Sequence, residues 1–255
     1  MSFAAKGWVK FDRDEGTAAW AAHARKIAVP LTKDPRFAGD WLRCGGTWFV
    51  GVNLLPNDGQ GRLPDGPPLA GPAIDFLRAE GLMTPFDSAQ VSVIYEGYPK
   101  PSDAETPAAF RFRRDRDAAH VDGLKATGVD KRRHVDEPHG FVLGLPLNEA
   151  SASPMVVWEG SHEIMREAFT ARLQDVPPQD WAAQDVTETY QAARKQCFET
   201  CKRIEISALP GEAYVIHRLA LHGVAPWRDG DTAPPEGRMI AYFRPELEDI
   251  ADWLA

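Results

Sequence analysis

Two copies of His-Val-Asp, at 120–122 and 134–136, lie within a short span of a chain that has seven histidines in all. On an extended backbone, residues i and i+2 point to the same side, so His-x-Asp sets an imidazole and a carboxylate next to each other. Two such donors hold a divalent cation weakly. A third donor is available from EAYVIHRLALHG, which carries His217 and His222. Two imidazoles and one carboxylate on one face of an octahedral ion leave positions open, the arrangement associated with non-haem Fe(II) oxygenases.

The elements that must position these side chains are mostly short strands. Apolar or alternating stretches at 89–98, 108–115, 140–147, 154–160, 203–209, 212–223 and 238–245 predict strands separated by turns. Helices are predicted over 15–28, which is rich in alanine, over 73–82, and over an insertion at about 179–201. The Pro- and Gly-rich segment 56–72 predicts a loop flanking a pocket. So many strands with no internal repeat predict a mainly β fold with helices: a single jelly-roll or cupin-like barrel over residues 1–255, its N-terminal helical part ending near residue 85.

A net charge of −8 argues against nucleic-acid or membrane-surface binding. No signal-like or membrane-spanning apolar run occurs, so a cytoplasmic protein acting on a small molecule is expected. Three cysteines, Cys44, Cys197 and Cys201, are too few for a disulfide framework and read as idle thiols. Positive charge collects at 111–133. It reads either as an attraction for an anionic substrate or as a solvated face balanced by nearby aspartates, and the second reading is preferred. Nothing in the sequence fixes the oligomeric state.

Residues 85–245 resemble the Fe(II)/2-oxoglutarate-dependent dioxygenases of the phytanoyl-CoA hydroxylase type. Four pieces carry the resemblance in order: His-x-Asp; VVWEGSH, with Glu159 where the family has proline; PGEAYVIHRLALHG, with Glu212 where the family has aspartate; and Arg238 opening the last strand. The resemblance implies a double-stranded β-helix that binds Fe(II) through His120, Asp122 and His222, with 2-oxoglutarate and O₂ as co-substrates. His222 is favoured over His217 because the family's distal ligand precedes a glycine. Arg238 is expected to bind the distal carboxylate of 2-oxoglutarate, with Arg228 and Arg244 as competitors because its spacing from His222 is longer than usual. His120 and Asp122 are favoured over His134 and Asp136: the first pair should follow a strand and precede the turn-forming Gly123, the second should lie in a charged loop. Ser161 is expected to cap the following helix. The activity implied is hydroxylation of a small organic molecule coupled to decarboxylation of 2-oxoglutarate to succinate. A cupin-like metal enzyme without 2-oxoglutarate and a non-catalytic ligand- or protein-binding barrel are the competing readings.

Overall fold

The computed structural model describes residues 2–102 and 105–255. The chain opens with a single helical turn, α1 (Phe3–Lys6), and strand β1 (Trp8–Phe11). Helix α2 (Glu15–Lys33) is capped by Asp14, whose side chain accepts the Thr17 amide at 2.9 Å. Its buried face is small apart from Trp20 (Ala21, Ala24 and Ala28), so it lies close on the sheet beneath. Next come α3 (Pro35–Trp41), β2 (Leu42–Arg43), β3 (Trp48–Phe49), α4 (Pro72–Ala79) and β4 (Gln90–Ile94). The part before residue 85 is therefore not purely helical: β1, β2 and β3 all join the large sheet.

Helix α5 (Pro107–Asp115) occupies the stretch where the sequence predicts a strand. The alternation Phe110-Arg111-Phe112-Arg113 misleads there. Thr106 accepts the Ala109 amide at 3.2 Å and Pro107 takes the first helical position, a start signal that outweighs the alternation. Strands β5 (Leu124–Thr127) and β6 (Arg132–Val135) form a separate hairpin. They are followed by β7 (Phe141–Pro146), β8 (Met155–Glu159), helices α6 (Ser161–Leu173) and α7 (Thr187–Thr200), and strands β9 (Lys202–Ile206), β10 (Ala213–His217), β11 (His222–Val224) and β12 (Arg238–Phe243).

The large antiparallel sheet has the order β1-β10-β7-β12-β4-β3-β2, and the small one β11-β8-β9. From β4 onward the chain passes repeatedly between the two sheets, which is jelly-roll winding: His120 bridges to β11, β7 returns to the large sheet, β8 and β9 lie in the small one, β10 returns, β11 crosses and β12 closes. Period-two alternation then sorts the side chains. On the outer face of the large sheet, Val91, Val93, Leu143, Val215, Met239, Ala241 and Phe243 pack beneath α2 and α4 with Trp20 and Leu77. On the outer face of the small sheet, Val156 and Trp158 pack beneath α6 and α7 with Met165, Phe169 and Tyr190. Between the sheets, Val142, Met155, Val157, Ile206, Tyr214, Ile216, Ile240 and Tyr242 form a third cluster. The C-terminal segment is packed rather than free: Trp253 is fully buried with its ring 5.0 Å from that of Phe169, and Arg218 donates to the carbonyls of Asp252, Trp253 and Ala255.

Candidate active site between the sheets

His120 and His222 lie opposite each other on neighbouring extended segments, each donating its amide to the other's carbonyl, at 2.8 and 3.0 Å. His120 is reached from α5 through a tight turn, with Asp117 and Ala118 at positive φ, rather than along a strand as the sequence predicts. Asp122 follows on the same side. Gly123 then turns the chain away at φ +86°, where a Cβ would meet the Glu137 carbonyl oxygen at 2.7 Å. On the other side Gly223 admits the backbone of the turn before His120. A Cβ there would meet the Asp117 carbonyl oxygen at 2.1 Å, so the glycine after His222 is a steric requirement of the bridge.

The donor atoms of His120, Asp122 and His222 all lie within 4.8 Å of one another. His120 Nε2 is 3.2 Å from Asp122 Oδ1, and His222 Nε2 is 3.8 Å from Asp122 Oδ2. Each imidazole is oriented by its own backbone: Nδ1 of His120 donates to the Ala118 carbonyl at 3.0 Å and Nδ1 of His222 to the Ala220 carbonyl at 2.9 Å. With Nδ1 bonded to a backbone carbonyl, Nε2 of each ring is left to face Asp122. Burial holds His222 neutral, pushing its pKa down to about 4 against the pull of Asp122. Burial acts to raise the Asp122 carboxyl, but Arg244, His120 and His222 together outweigh it and hold the group well below the usual carboxylate range. Asp122 Oδ2 is buried and accepts no hydrogen bond. Two imidazoles whose Nε2 atoms have no backbone partner and an ionised carboxylate with an unsatisfied oxygen fit a divalent metal.

The remaining histidines stay apart from this group. His134 lies on β6 opposite Lys125, in a regular strand rather than the expected loop, and Asp136 pairs with Lys125 Nζ at 2.9 Å. His217 is buried, accepting the Leu219 amide on Nδ1, and burial together with Arg218 and its other basic neighbours pushes its pKa down to about 2. His162 is fully buried, with Nε2 donating to the Ala4 carbonyl. Ser161 is the first residue of α6 and caps nothing. Its hydroxyl instead accepts the Leu221 amide at 2.8 Å, fixing the chain immediately before His222.

A cavity opens beside the three donors, walled by Trp48, Val50, Gln90, Ser92, Met155, Tyr242 and Arg244 among others. Its volume is about 150 Å³. Residues 48–52 and β4 reach this cavity, whereas the loop 56–72 borders a different one. Arg238 is 5% exposed and stands behind Tyr242, with Nη1 3.4 Å from the Tyr242 hydroxyl. Tyr214, whose phenol burial keeps protonated, donates to the same oxygen at 3.1 Å. With two donors on its oxygen, Tyr242 has its own hydroxyl proton left for an acceptor in the cavity. No carboxylate lies within ion-pair distance of Arg238 among the described residues. Arg228 is exposed and paired with Glu205, away from the cavity. The basic stretch 111–133 is largely spent on neighbours: Arg113 on Glu105, Arg132 on Asp185 and Glu188, Arg116 over Phe198 and Arg133 over Tyr190.

The sequence matches no family model and no curated protein. Among solved structures, EctD from S. alaskensis with 2-oxoglutarate and 5-hydroxyectoine is similar at 14% identity and a TM-score of 0.44, over 95% of this chain and 72% of that one. AviO1 from Streptomyces viridochromogenes Tue57 is similar at 15% identity and a TM-score of 0.45, over 97% and 93% of the two chains. SnoK, a non-heme alpha ketoglutarate dependent carbocyclase from nogalamycin biosynthesis, is similar at 15% identity and a TM-score of 0.46, over 96% and 85%. Among the described residues no helix is long and apolar enough to cross a membrane.

Proposed function

We propose that the chain is a non-haem Fe(II)- and 2-oxoglutarate-dependent oxygenase, of the phytanoyl-CoA hydroxylase type, that hydroxylates a small organic molecule. The observation that carries this reading is the convergence of His120 Nε2, His222 Nε2 and the Asp122 carboxylate at one end of a cavity between the sheets. In this reading the three hold Fe(II) on one face, which when bound supplies the redox chemistry that couples decarboxylation of 2-oxoglutarate to oxidation of a C–H bond by O₂.

The protein's residues then divide the remaining work. His120 and His222 keep Nδ1 on backbone carbonyls, so Nε2 is the atom each presents to the ion. Asp122 contributes a negative charge that holds the ion, and its oxygen is desolvated in advance. Arg238 takes the distal carboxylate of 2-oxoglutarate, with the Tyr242 hydroxyl as the nearer donor. A buried guanidinium without an acid is costly, and a dicarboxylate offsets that cost when it enters. A cupin-like enzyme working without 2-oxoglutarate, or a non-catalytic barrel, would leave this unpaired Arg238 without a role. In this reading Trp48, Val50 and Met155 line the part of the cavity that takes the apolar portion of the substrate.

The test is direct. Purified protein with Fe(II), ascorbate, 2-oxoglutarate and O₂ should form succinate, and mutation of His120 or His222 should stop it. Absence of both iron binding and succinate would end the oxygenase reading.

A further inference from the structure

We propose that Arg244 selects the primary substrate, and that this substrate carries a carboxylate attached to an apolar body. The inference rests on the oxygenase reading above and assigns it a substrate class.

Arg238, Ile240 and Tyr242 share the inward face of β12, and Arg244 continues the same alternation just beyond the strand. The two arginines therefore stand at opposite ends of one row, with Tyr242 between them. Arg238 is sealed behind the Tyr242 hydroxyl. Arg244 faces the cavity directly, its side chain 22% accessible. Among the described residues its one carboxylate within 4 Å is Asp122, at 3.5 Å from Nη1 to Oδ2, an ion pair too long for a hydrogen bond. That oxygen belongs to the group the reading gives to the metal. Asp87 is also near, beside His139 and the Arg244 backbone, but beyond ion-pair distance of the guanidinium.

Arg244 thus presents a fork of N–H donors to a cavity whose other walls are largely apolar: Trp48, Val50, Val52, Met155 and Val224. A planar carboxylate is the group that such a fork binds with two parallel hydrogen bonds, and the low-dielectric surroundings strengthen the pair. An uncharged substrate would leave the guanidinium with only its long contact to Asp122 as a charged partner among the described residues. The closeness of Arg244 to Asp122 also fixes orientation: the carbon atoms next to the bound carboxylate are the ones brought beside His120 and His222.

The experiment measures equilibrium binding by calorimetry, without oxygen, to protein loaded with Fe(II) and 2-oxoglutarate. The probes are benzoate, phenylacetate and hexanoate, each against its own amide. At least one acid should bind wild type about tenfold or more tighter than its amide, the size of one charge-assisted contact. R244Q should erase that preference and leave amide binding unchanged, and R244K should restore part of it. R238Q should keep the acid preference while weakening 2-oxoglutarate binding. Equal binding of every acid and its amide, or an undiminished preference in R244Q, overturns the inference while the oxygenase reading stands. If R244Q instead weakens 2-oxoglutarate binding and R238Q does not, Arg244 belongs to the co-substrate and the inference fails. If wild type takes up neither iron nor 2-oxoglutarate, the oxygenase reading itself falls and the inference with it.

Discussion

His120 and His222 are held to each other by their backbones before they share any ligand: two amide-to-carbonyl bonds join them and their rings lie 4.7 Å apart. The donor pair is thus part of the sheet, and its spacing does not depend on packing of flexible side chains.

The first prediction concerns which histidines hold iron. His120→Ala and His222→Ala should each abolish stoichiometric iron uptake, measured by metal analysis after desalting, whereas His134→Ala should retain it. Wild type should gain thermal stability with Fe(II), about 2.7 kcal/mol when free metal is a hundredfold above its dissociation constant. Loss of iron in His134→Ala with retention in His120→Ala would reverse the assignment.

Arg238→Met separates ligand binding from stability. Without co-substrate the variant should be as stable as wild type or more so, by on the order of 1 kcal/mol in urea melts, because a buried unpaired cation is removed. Its requirement for 2-oxoglutarate should rise by about tenfold or more while iron uptake is unchanged. A variant with normal co-substrate dependence would move that role to Arg244.

Ser161→Ala tests the link between α6 and the metal end of β11. Removing the hydroxyl leaves the buried Leu221 amide without an acceptor, a cost of about 1–3 kcal/mol in unfolding free energy. Iron affinity should fall too, because Leu221 precedes His222. An unchanged melt would show that the bond is replaced, for instance by water.

Acid should destabilise the metal-free protein early. His217 and His222 have folded-state pKa values pushed down to about 2 and about 4, below the 6.5 of an unperturbed histidine. The unfolded chain therefore binds these protons first. The stability they contribute is fully present above pH 6.5 and is lost as pH falls through the window below it, approaching about 1.4 kcal/mol per pH unit for each histidine. His217→Gln, which leaves the metal donors untouched, should flatten the slope between pH 6 and 4.5. An identical slope in that variant would show that His217 does not contribute.

Much of this was legible in the residues, and the failures have physical causes. β7, β8, β10 and β12 are short apolar runs between turn residues, and such runs identify buried strands whichever face they present. His222 stood out because a glycine follows it, and the close approach of the Asp117 carbonyl accounts for that glycine. The arginine-rich approach to His120 was misread because alternation of large apolar and charged residues also suits one exposed helix, and Thr106-Pro107 was the signal that decided it. The wall residues Trp48, Gln90, Ser92 and Tyr242 were not foreseen as such. Period-two patterning separates a strand into two faces without saying which one borders a cavity. The polar character of Gln90, Ser92 and Arg238 inside otherwise apolar strands was the available clue.

The winding of the chain also sets an order of events during synthesis. β12 lies between β4 and β7 in the large sheet, yet it follows both in the chain and leaves the ribosome after them. Until it inserts, the two strands it joins have no common neighbour, and Tyr242 and Arg244 are missing from the cavity wall. A nascent chain halted before that point can carry His120, Asp122 and even His222 but lacks that wall beside them. Insertion of β12 therefore couples two events: Tyr242 and Arg244 reach the cavity wall with the strand that joins β4 to β7.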